Sequence, residues 1–235
     1  MKHTPPPEAR IALPAEGADP ARCLAASGAI DSDHPALVAR AREITRGATN
    51  EWERAAALFE HVRDAIAYDF TPDLRSPDDW RASQTLARGN GFCQQKAVLL
   101  TALGRAAGIP SATGLQHILD HKLLDTRYER WLPGGIIHFH GHSFFFLEGA
   151  WRIADATLDE ALSTRKQYRL VSFSRSAPEA ARLPRTDLAG APHFDFLADF
   201  GPFPGIPVAV VDLLVSLRPR WQALMEVARK TGATM

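Results

Sequence analysis

The feature that most constrains the fold is a pair of strand-like runs, at residues 136–147 and 150–156, separated by a Glu-Gly step. Alternation of side chains with a period of two is typical of β-strands, and a Glu-Gly step between two such runs predicts a tight turn. We therefore expect an antiparallel hairpin in which Leu147 pairs with Ala150.

The chain before this hairpin carries helical periodicity, with apolar residues recurring every three or four positions. Gly108 and Pro110 end the last of these helical segments. We predict helices at 36–46, 50–68 and 93–107, and a strand at 111–118 ahead of the hairpin. Helices followed by antiparallel strands predict an α+β fold, with the helices packed on an antiparallel sheet.

The remaining segments carry weaker patterns. We expect a loop at 69–79, a surface excursion at 119–135, a strand at 168–173, irregular chain at 175–205, and a helix at 207–230 interrupted near Pro219. Residues 1–34 are rich in Pro, Ala and Gly and predict an extended arm. The predicted organisation is an N-terminal arm at 1–34, a core at 35–175 and a C-terminal extension at 176–235 packed on the same domain.

Composition excludes several classes of protein. The 235 residues hold 27 Lys and Arg against 27 Asp and Glu, and a net charge of zero argues against a nucleic-acid partner. The longest apolar stretch, at 206–217, is interrupted by Asp212 and falls short of the roughly 20 residues that a membrane span needs. No signal-peptide pattern begins the sequence. We expect a cytoplasmic protein with reduced thiols and no membrane partner.

One of the two cysteines stands in a chemically suggestive place. A Gly-Asn-Gly-Phe step delivers the chain to Cys93, in the first turn of the predicted helix. The helix dipole and the free N–H groups there favour a thiolate and can face a developing oxyanion. The alternative is a buried structural cysteine, which is a common fate of free Cys. Cys23 lies in the irregular arm without such support.

Three histidines alternate along the first hairpin strand, and all three should share a face with Phe144 and Phe146. The predicted pairing places Asp155 opposite His142 and diagonal to His140, so that a carboxylate could orient an imidazole. Two alternatives stay open. The histidines could form a solvated sheet edge, or they could chelate a metal. The metal reading would use the strand histidines with one further ligand: His138, His140, His142, and either His117 or His121.

These pieces together resemble the transglutaminase-like superfamily over roughly residues 50–160. Residues 57–68 resemble the family's helix that ends in V-R-D-x-I-x-Y. The Gly-Phe-Cys step and the run at 97–110 resemble its G-x-C helix, which ends in R-x-x-G-I-P. The histidine strand, the Gly-x-Trp turn and the Asp-Ala-Thr ending complete three ordered blocks.

The resemblance implies a papain-like catalytic core with Cys93 as nucleophile, His140 as base and Asp155 as its orienting acid. His140 is chosen because the family's histidine lies eleven residues before the hairpin Trp and fifteen before the Asp. The resemblance further suggests that Phe92, His142 and Trp151 contact the substrate or the oxyanion. His142 stands where the family usually has an aromatic residue, and Phe144 replaces a common Glu.

The expected activity is acyl transfer at an amide or ester through a thioester on the cysteine, ending in hydrolysis or in transamidation. It requires no cofactor, and the expected partner is a peptide, a protein or a small amide. Two alternatives remain: a hydrolase that binds a metal through the histidine cluster, and a non-catalytic binding domain that retains the fold.

Overall fold

The computed structural model describes residues 11, 13, 17–69, 75–126, 129 and 132–217. Its helices are α1 (Pro35–Ile44), α2 (Glu51–Ala65), α3 (Ala82–Arg88), α4 (Cys93–Ala106), α5 (Glu160–Lys166) and α6 (208–217). Its strands are β1 (Ala67–Tyr68), β2 (Asn90–Gly91), β3 (Ser111–Asp120), β4 (Ile136–Leu147), β5 (Ala150–Ala154) and β6 (Phe194–Phe203). None of the helices in these ranges is both long enough and apolar enough to cross a lipid bilayer.

The architecture is α+β, as the sequence predicts. Four strands form an antiparallel sheet in the order β5-β4-β3-β6, and β1 and β2 form a separate parallel pair of two residues each. Strands β4 and β5 form the expected hairpin with Leu147 opposite Ala150. Both turn residues, Glu148 and Gly149, have positive φ, which is the backbone of a type I′ turn.

Helix α4 is the centre of the domain, and its residues are buried from Cys93 to Arg105. Its leucines share one apolar core with residues of α2 and with Phe145 and Leu147 of β4. The helix approaches the sheet closely at Gly104, where an added Cβ would lie 2.6 Å from Phe145 Cε1 and nearer still to Ser111 Oγ. No side chain larger than hydrogen fits there without displacing the sheet.

Two buried cations of α4 join other segments to this helix. Lys96 Nζ donates to the carbonyl oxygens of Arg63 (2.9 Å) and Ile66 (2.7 Å), at the end of α2. Burial lowers the pKa of Lys96 to about 7. Arg105 donates to the carbonyl oxygens of Ala25 and Pro204, each at 2.6 Å. The N-terminal segment and the chain after β6 are therefore both attached to α4.

The sequence-based prediction of helices and strands fails in three places. The sequence did not indicate α3, the strand predicted at 168–173 is wrong, and β6 lies inside the segment predicted to be irregular. Val171 and Phe173 are buried in the core without pairing in the sheet. Strand β6 is an edge strand, and an edge accommodates proline because one side of the strand needs no hydrogen-bond donors.

Other boundaries shift by smaller amounts. Helix α2 ends at Ala65, before the predicted limit, and β1 follows it. In the predicted arm, residues 17–34 contain a short 3-10 helix, Pro20–Leu24, and bury Cys23 and Ile30, so this part is packed on the domain and does not extend from it. Helix α6 covers 208–217, and the expected continuation to 230 lies outside the described residues.

We expect Gly104→Ala to lower the free energy of unfolding by about 1–3 kcal/mol, because the added methyl group collides with Ser111 and Phe145. Urea denaturation of the variant and of the parent protein measures the difference. The control is Gly47→Ala, since an added Cβ at Gly47 meets nothing within 4 Å. Equal stability of the two variants would contradict the close packing of α4 on the sheet.

Candidate active site

Cys93 is the first residue of α4, and the chain reaches it from β2 through Phe92, whose backbone is extended. The first N–H groups of a helix have no partner within the helix, so they can bind an anion beside the cysteine. The side chain of Cys93 is 5% exposed. Position and chemistry therefore suit a nucleophile held at the edge of the interior.

The start of α4 lies directly against β4. An added Cβ at Gly141 would lie 2.6 Å from the Cα of Gln94, and Gln94 Nε2 donates to the carbonyl oxygen of Phe139 at 2.5 Å. These two contacts flank His140 on either side. They bring the residue that follows Cys93 against the strand segment that carries His140.

His140 and Asp155 form a buried pair. Nε2 of His140 lies 2.7 Å from Oδ2 of Asp155, and the two side chains are 3% and 1% exposed. The other carboxylate oxygen of Asp155 accepts the backbone N–H of Thr157 at 3.2 Å, and the N–H of Asp155 donates to the carbonyl oxygen of Ala181 at 2.9 Å. These two hydrogen bonds hold Asp155 in place, and Asp155 in turn orients the imidazole of His140.

The electrostatics of the pair favour an imidazolium. Burial alone would lower the pKa of His140, but the charges of Asp155 and Cys93, with hydrogen bonds to both, raise it to about 10. Burial would raise the pKa of Asp155, and the neighbouring His140 reverses this and lowers it. Each partner thus stabilises the charged form of the other.

The two nitrogens of the His140 ring have different partners. Nε2 is occupied by Asp155. The ring also interacts with the Cys93 side chain, and Nδ1 is the nitrogen that remains available to the sulfur. The structure thus brings together the three residues expected to be catalytic, from the start of α4, the middle of β4 and the position that follows β5. An imidazole between a thiol and a carboxylate can move a proton to and from the sulfur.

The three strand histidines do not share one environment. Gln116 pairs with His140 but Ile118 pairs with Ile137, so two β4 residues, His138 and Phe139, face one β3 residue. Phe139 has a φ of 56°, and this bulge resets the alternation of the strand. The prediction that His138 shares a face with the other two histidines is therefore wrong. The ring of His138 instead contacts His117, with centroids 4.8 Å apart.

His142 is buried over Gly114, where an added Cβ would collide with the ring. Neither of its ring nitrogens has a hydrogen-bond partner, and burial lowers its pKa to about 3. His121 pairs with Asp195 at 2.8 Å. Over the described ranges, no three His, Cys, Asp or Glu side chains form a group that could hold a metal ion. The geometry therefore gives the histidine-cluster metal hypothesis no assembled ligand set.

Phe92 and Trp151, which the sequence also suggested as substrate contacts, lie in different places. Phe92 packs edge-on against Trp80, with centroids 5.6 Å apart, and beside Val211 of α6. Trp151 pairs with Phe146, six residues along β4 from His140, or roughly 20 Å at strand spacing. The structure therefore keeps Phe92 next to the cysteine and places Trp151 at the turn end of the hairpin.

Two further residues of the site were not assigned by sequence reasoning. Tyr68, paired with Gly91, has a pKa raised by burial and by the neighbouring charge of Cys93. Tyr68 ends the V-R-D-x-I-x-Y motif, and this position was the sequence signal that could have assigned it to the site. Oε1 of Gln94 accepts a hydrogen bond from the Cys93 thiol at 2.8 Å, and no sequence pattern indicated this contact.

Helix α6 packs against the residues that precede Cys93 and His140. Val210 shares a small apolar cluster with Phe139, and Val211 shares another with Phe92. The C-terminal part of the described chain therefore contributes apolar contacts beside the candidate site.

Comparison with solved structures finds distant likenesses. The chain is 22% identical to a candidate cysteine protease from Cytophaga hutchinsonii, with a TM-score of 0.46 over 76% of this chain and 50% of that chain. The periplasmic domain of TgpA from Pseudomonas aeruginosa is 21% identical, with a TM-score of 0.43 over 59% of this chain and 48% of that one. The chain thus spans about half the length of these structures. No curated protein matches it.

The family is shown by sequence. The family model of the transglutaminase-like superfamily matches residues 38–156, about half of the chain, and this range contains Cys93, His140 and Asp155. The mixed helical and antiparallel architecture agrees with a transglutaminase-like core. The chain belongs to the transglutaminase-like superfamily.

Proposed function

We propose that the protein is a thiol-dependent acyl-transfer enzyme that acts on an amide or ester through Cys93, His140 and Asp155. The observation that carries this proposal is the buried imidazole of His140, which contacts Asp155 at 2.7 Å through Nε2 and interacts with the side chain of Cys93. Family membership supports the same class of reaction.

In the first half of the reaction, the proton of the Cys93 thiol moves to Nδ1 of His140, and the sulfur attacks the carbonyl carbon of the substrate. The carbonyl oxygen becomes an oxyanion that the free N–H groups at the start of α4 can stabilise. His140 then gives its proton to the leaving amine or alcohol, and the carbon–nitrogen or carbon–oxygen bond breaks. The product on the enzyme is a thioester of Cys93.

The second half reverses the roles. Water or an amine attacks the thioester carbon, His140 takes a proton from this nucleophile, and the carbon–sulfur bond breaks. The sulfur recovers its proton from His140, and an acid or a new amide leaves. Throughout, Asp155 keeps the ring oriented and stabilises its protonated form.

The proposed substrate is a peptide, a protein or a small amide, with no nucleic acid or membrane as partner. The cytoplasmic location stays a sequence-based expectation; the TgpA domain among the similar structures is periplasmic. Cys93 is 5% exposed, which suits an acyl group that leaves water on binding.

We expect iodoacetamide to label Cys93 at least about tenfold faster than Cys23 at neutral pH, because His140 assists ionisation of the first thiol alone. Cys23 is fully buried, and burial raises its pKa. Mass spectrometry of digested protein after timed labelling gives both rates.

The matched pair His140→Ala and His142→Ala tests which histidine assists the thiol. The first variant should abolish the preference for Cys93 and the second should retain it, since only His140 bonds the sulfur and Asp155. Circular dichroism checks that both variants fold. Labelling of Cys23 as fast as Cys93 in the parent protein would refute an activated thiol.

A panel of amides and esters, each incubated with the protein and followed by intact-mass spectrometry, tests acyl transfer directly. We expect at least one substrate to add its acyl mass to the parent protein and not to Cys93→Ala. A stable acyl-enzyme that an added amine releases indicates a transferase, and spontaneous release indicates a hydrolase. Turnover that persists in Cys93→Ala would contradict the proposal.

We expect Asp155→Asn to lower the pKa of His140 from about 10, because the carboxylate charge and its hydrogen bond are lost while burial remains. An NMR titration of the imidazole measures the change. Asp199→Asn, the same substitution on β6, should leave this pKa raised. A pKa of His140 that stays at about 10 in Asp155→Asn would contradict the ion pair.

The same pair predicts how stability depends on pH. The pKa of His140 is raised from 6.5, so its contribution to the free energy of unfolding is complete below pH 6.5 and is lost as pH rises through about 10. The pKa of Asp155 is lowered from 3.8, so its contribution is lost in acid. The stability lost in Asp155→Asn should be greatest between about pH 4 and 6.5.

A further inference from the structure

Gln94 is the first residue of α4 after the cysteine, and its amide is 2% exposed. The amide makes one hydrogen bond at each end. Nε2 donates to the carbonyl oxygen of Phe139 at 2.5 Å, and Oε1 accepts the thiol of Cys93 at 2.8 Å. The side chain therefore connects the sulfur to the backbone beside His140.

The orientation of this amide is determined by its partners. The carbonyl oxygen of Phe139 can only accept, so it requires the NH2 end of the amide. The opposite orientation would place two oxygens 2.5 Å apart in the interior, which is unfavourable. The amide oxygen must therefore face the sulfur.

An amide oxygen facing sulfur discriminates between the two forms of the cysteine. A thiol donates its hydrogen to the oxygen, whereas a thiolate has no hydrogen and meets the negative end of the amide dipole. The same hydrogen is the one that His140 must accept in the proposed mechanism. Gln94 thus stabilises the thiol, whereas the charge of His140 stabilises the thiolate.

We propose that Gln94 is a positioning residue whose amide oxygen favours the thiol over the thiolate of Cys93, so that it opposes the ionisation that His140 promotes. This inference rests on the proposed function, in which Cys93 is the nucleophile. The proton that leaves the sulfur goes to Nδ1 of His140, or to water when the ring is already protonated.

Two titratable groups interact with Cys93 directly, His140 of β4 and Tyr68 of β1. Asp155, which follows β5, and Asp120, at the end of β3, interact with these two groups, and Lys96 of α4 interacts with Asp155. A neutral substitution at Gln94 leaves all of these groups in place. A change in thiol ionisation then reports on the amide oxygen.

The experiment measures the rate of alkylation of Cys93 by iodoacetamide against pH in the parent protein and in Gln94→Met, which has a similar length but no amide. We expect the midpoint of the profile to fall by about 0.5–1 pH unit, and alkylation on the acid side to be about three- to tenfold faster, as expected for the loss of one hydrogen bond to the thiol.

Gln95→Met is the matched control. Gln95 lies in the same turn and is also buried, and its amide likewise makes a hydrogen bond at each end, both to the backbone: Oε1 accepts from Phe92 N, and Nε2 donates to the carbonyl oxygen of Asp79. The amide of Gln95 does not bond the sulfur, so the alkylation profile of Gln95→Met should keep the midpoint of the parent protein. An unchanged or higher midpoint in Gln94→Met, or an equal shift in Gln95→Met, would overturn the inference.

A second measurement needs no substitution at Gln94. At a pH below the midpoint of the alkylation profile, where Cys93 is a thiol, the infrared S–H stretching band of the parent protein should contain a hydrogen-bonded component that Cys93→Ala removes. Absence of this difference would show that the thiol does not donate to the amide oxygen of Gln94, and it would overturn the inference even if Gln94→Met fails to fold.

The two proposals fail in different ways. Labelling that does not prefer Cys93, or the absence of any acyl-enzyme, counts against the proposed function. Preferential labelling with an unshifted midpoint in Gln94→Met counts against the role of Gln94 alone.

Discussion

The site depends on the close contact between the first turn of α4 and strand β4 at Gly141. Because glycine has no Cβ, the Cα of Gln94 can approach the strand backbone, and the helix start and the middle of the strand become adjacent. This contact brings Cys93 and His140 together although 47 positions separate their residue numbers. Helix α4 is held in that place by the burial of its side chains and by the hydrogen bonds of Lys96 and Arg105 to carbonyl oxygens of other segments.

Local signals predicted much of this arrangement. The start and end of α4, the hairpin turn and the Leu147–Ala150 pair are determined by neighbouring residues, and the structure agrees with all of them. The choice of His140 over His142 needed the spacing of a family motif, because strand pairing alone placed Asp155 opposite His142. The geometry unites Asp155 with His140.

The features that the sequence analysis did not predict have a common physical cause. Each depends on contacts between residues that are distant in the sequence. No glycine or asparagine stands at position 139 to mark the bulge, so the sequence predicted an unbroken alternation of side chains from His138 to His142. Strand β6 is completed by pairing with β3, roughly eighty residues earlier in the chain. Gln94 looks like an ordinary helical residue until Phe139 supplies its second partner.

The ring of His142 occupies the space above Gly114 that a Cβ would fill, and the two positions are paired across β3 and β4. Their sizes are therefore complementary, with the absent side chain of one accommodating the large side chain of the other. Among homologous sequences, this geometry leads us to expect covariation: a side chain at position 114 should accompany a smaller residue at position 142. The volume at this pair is then a shared property, which neither position can change alone.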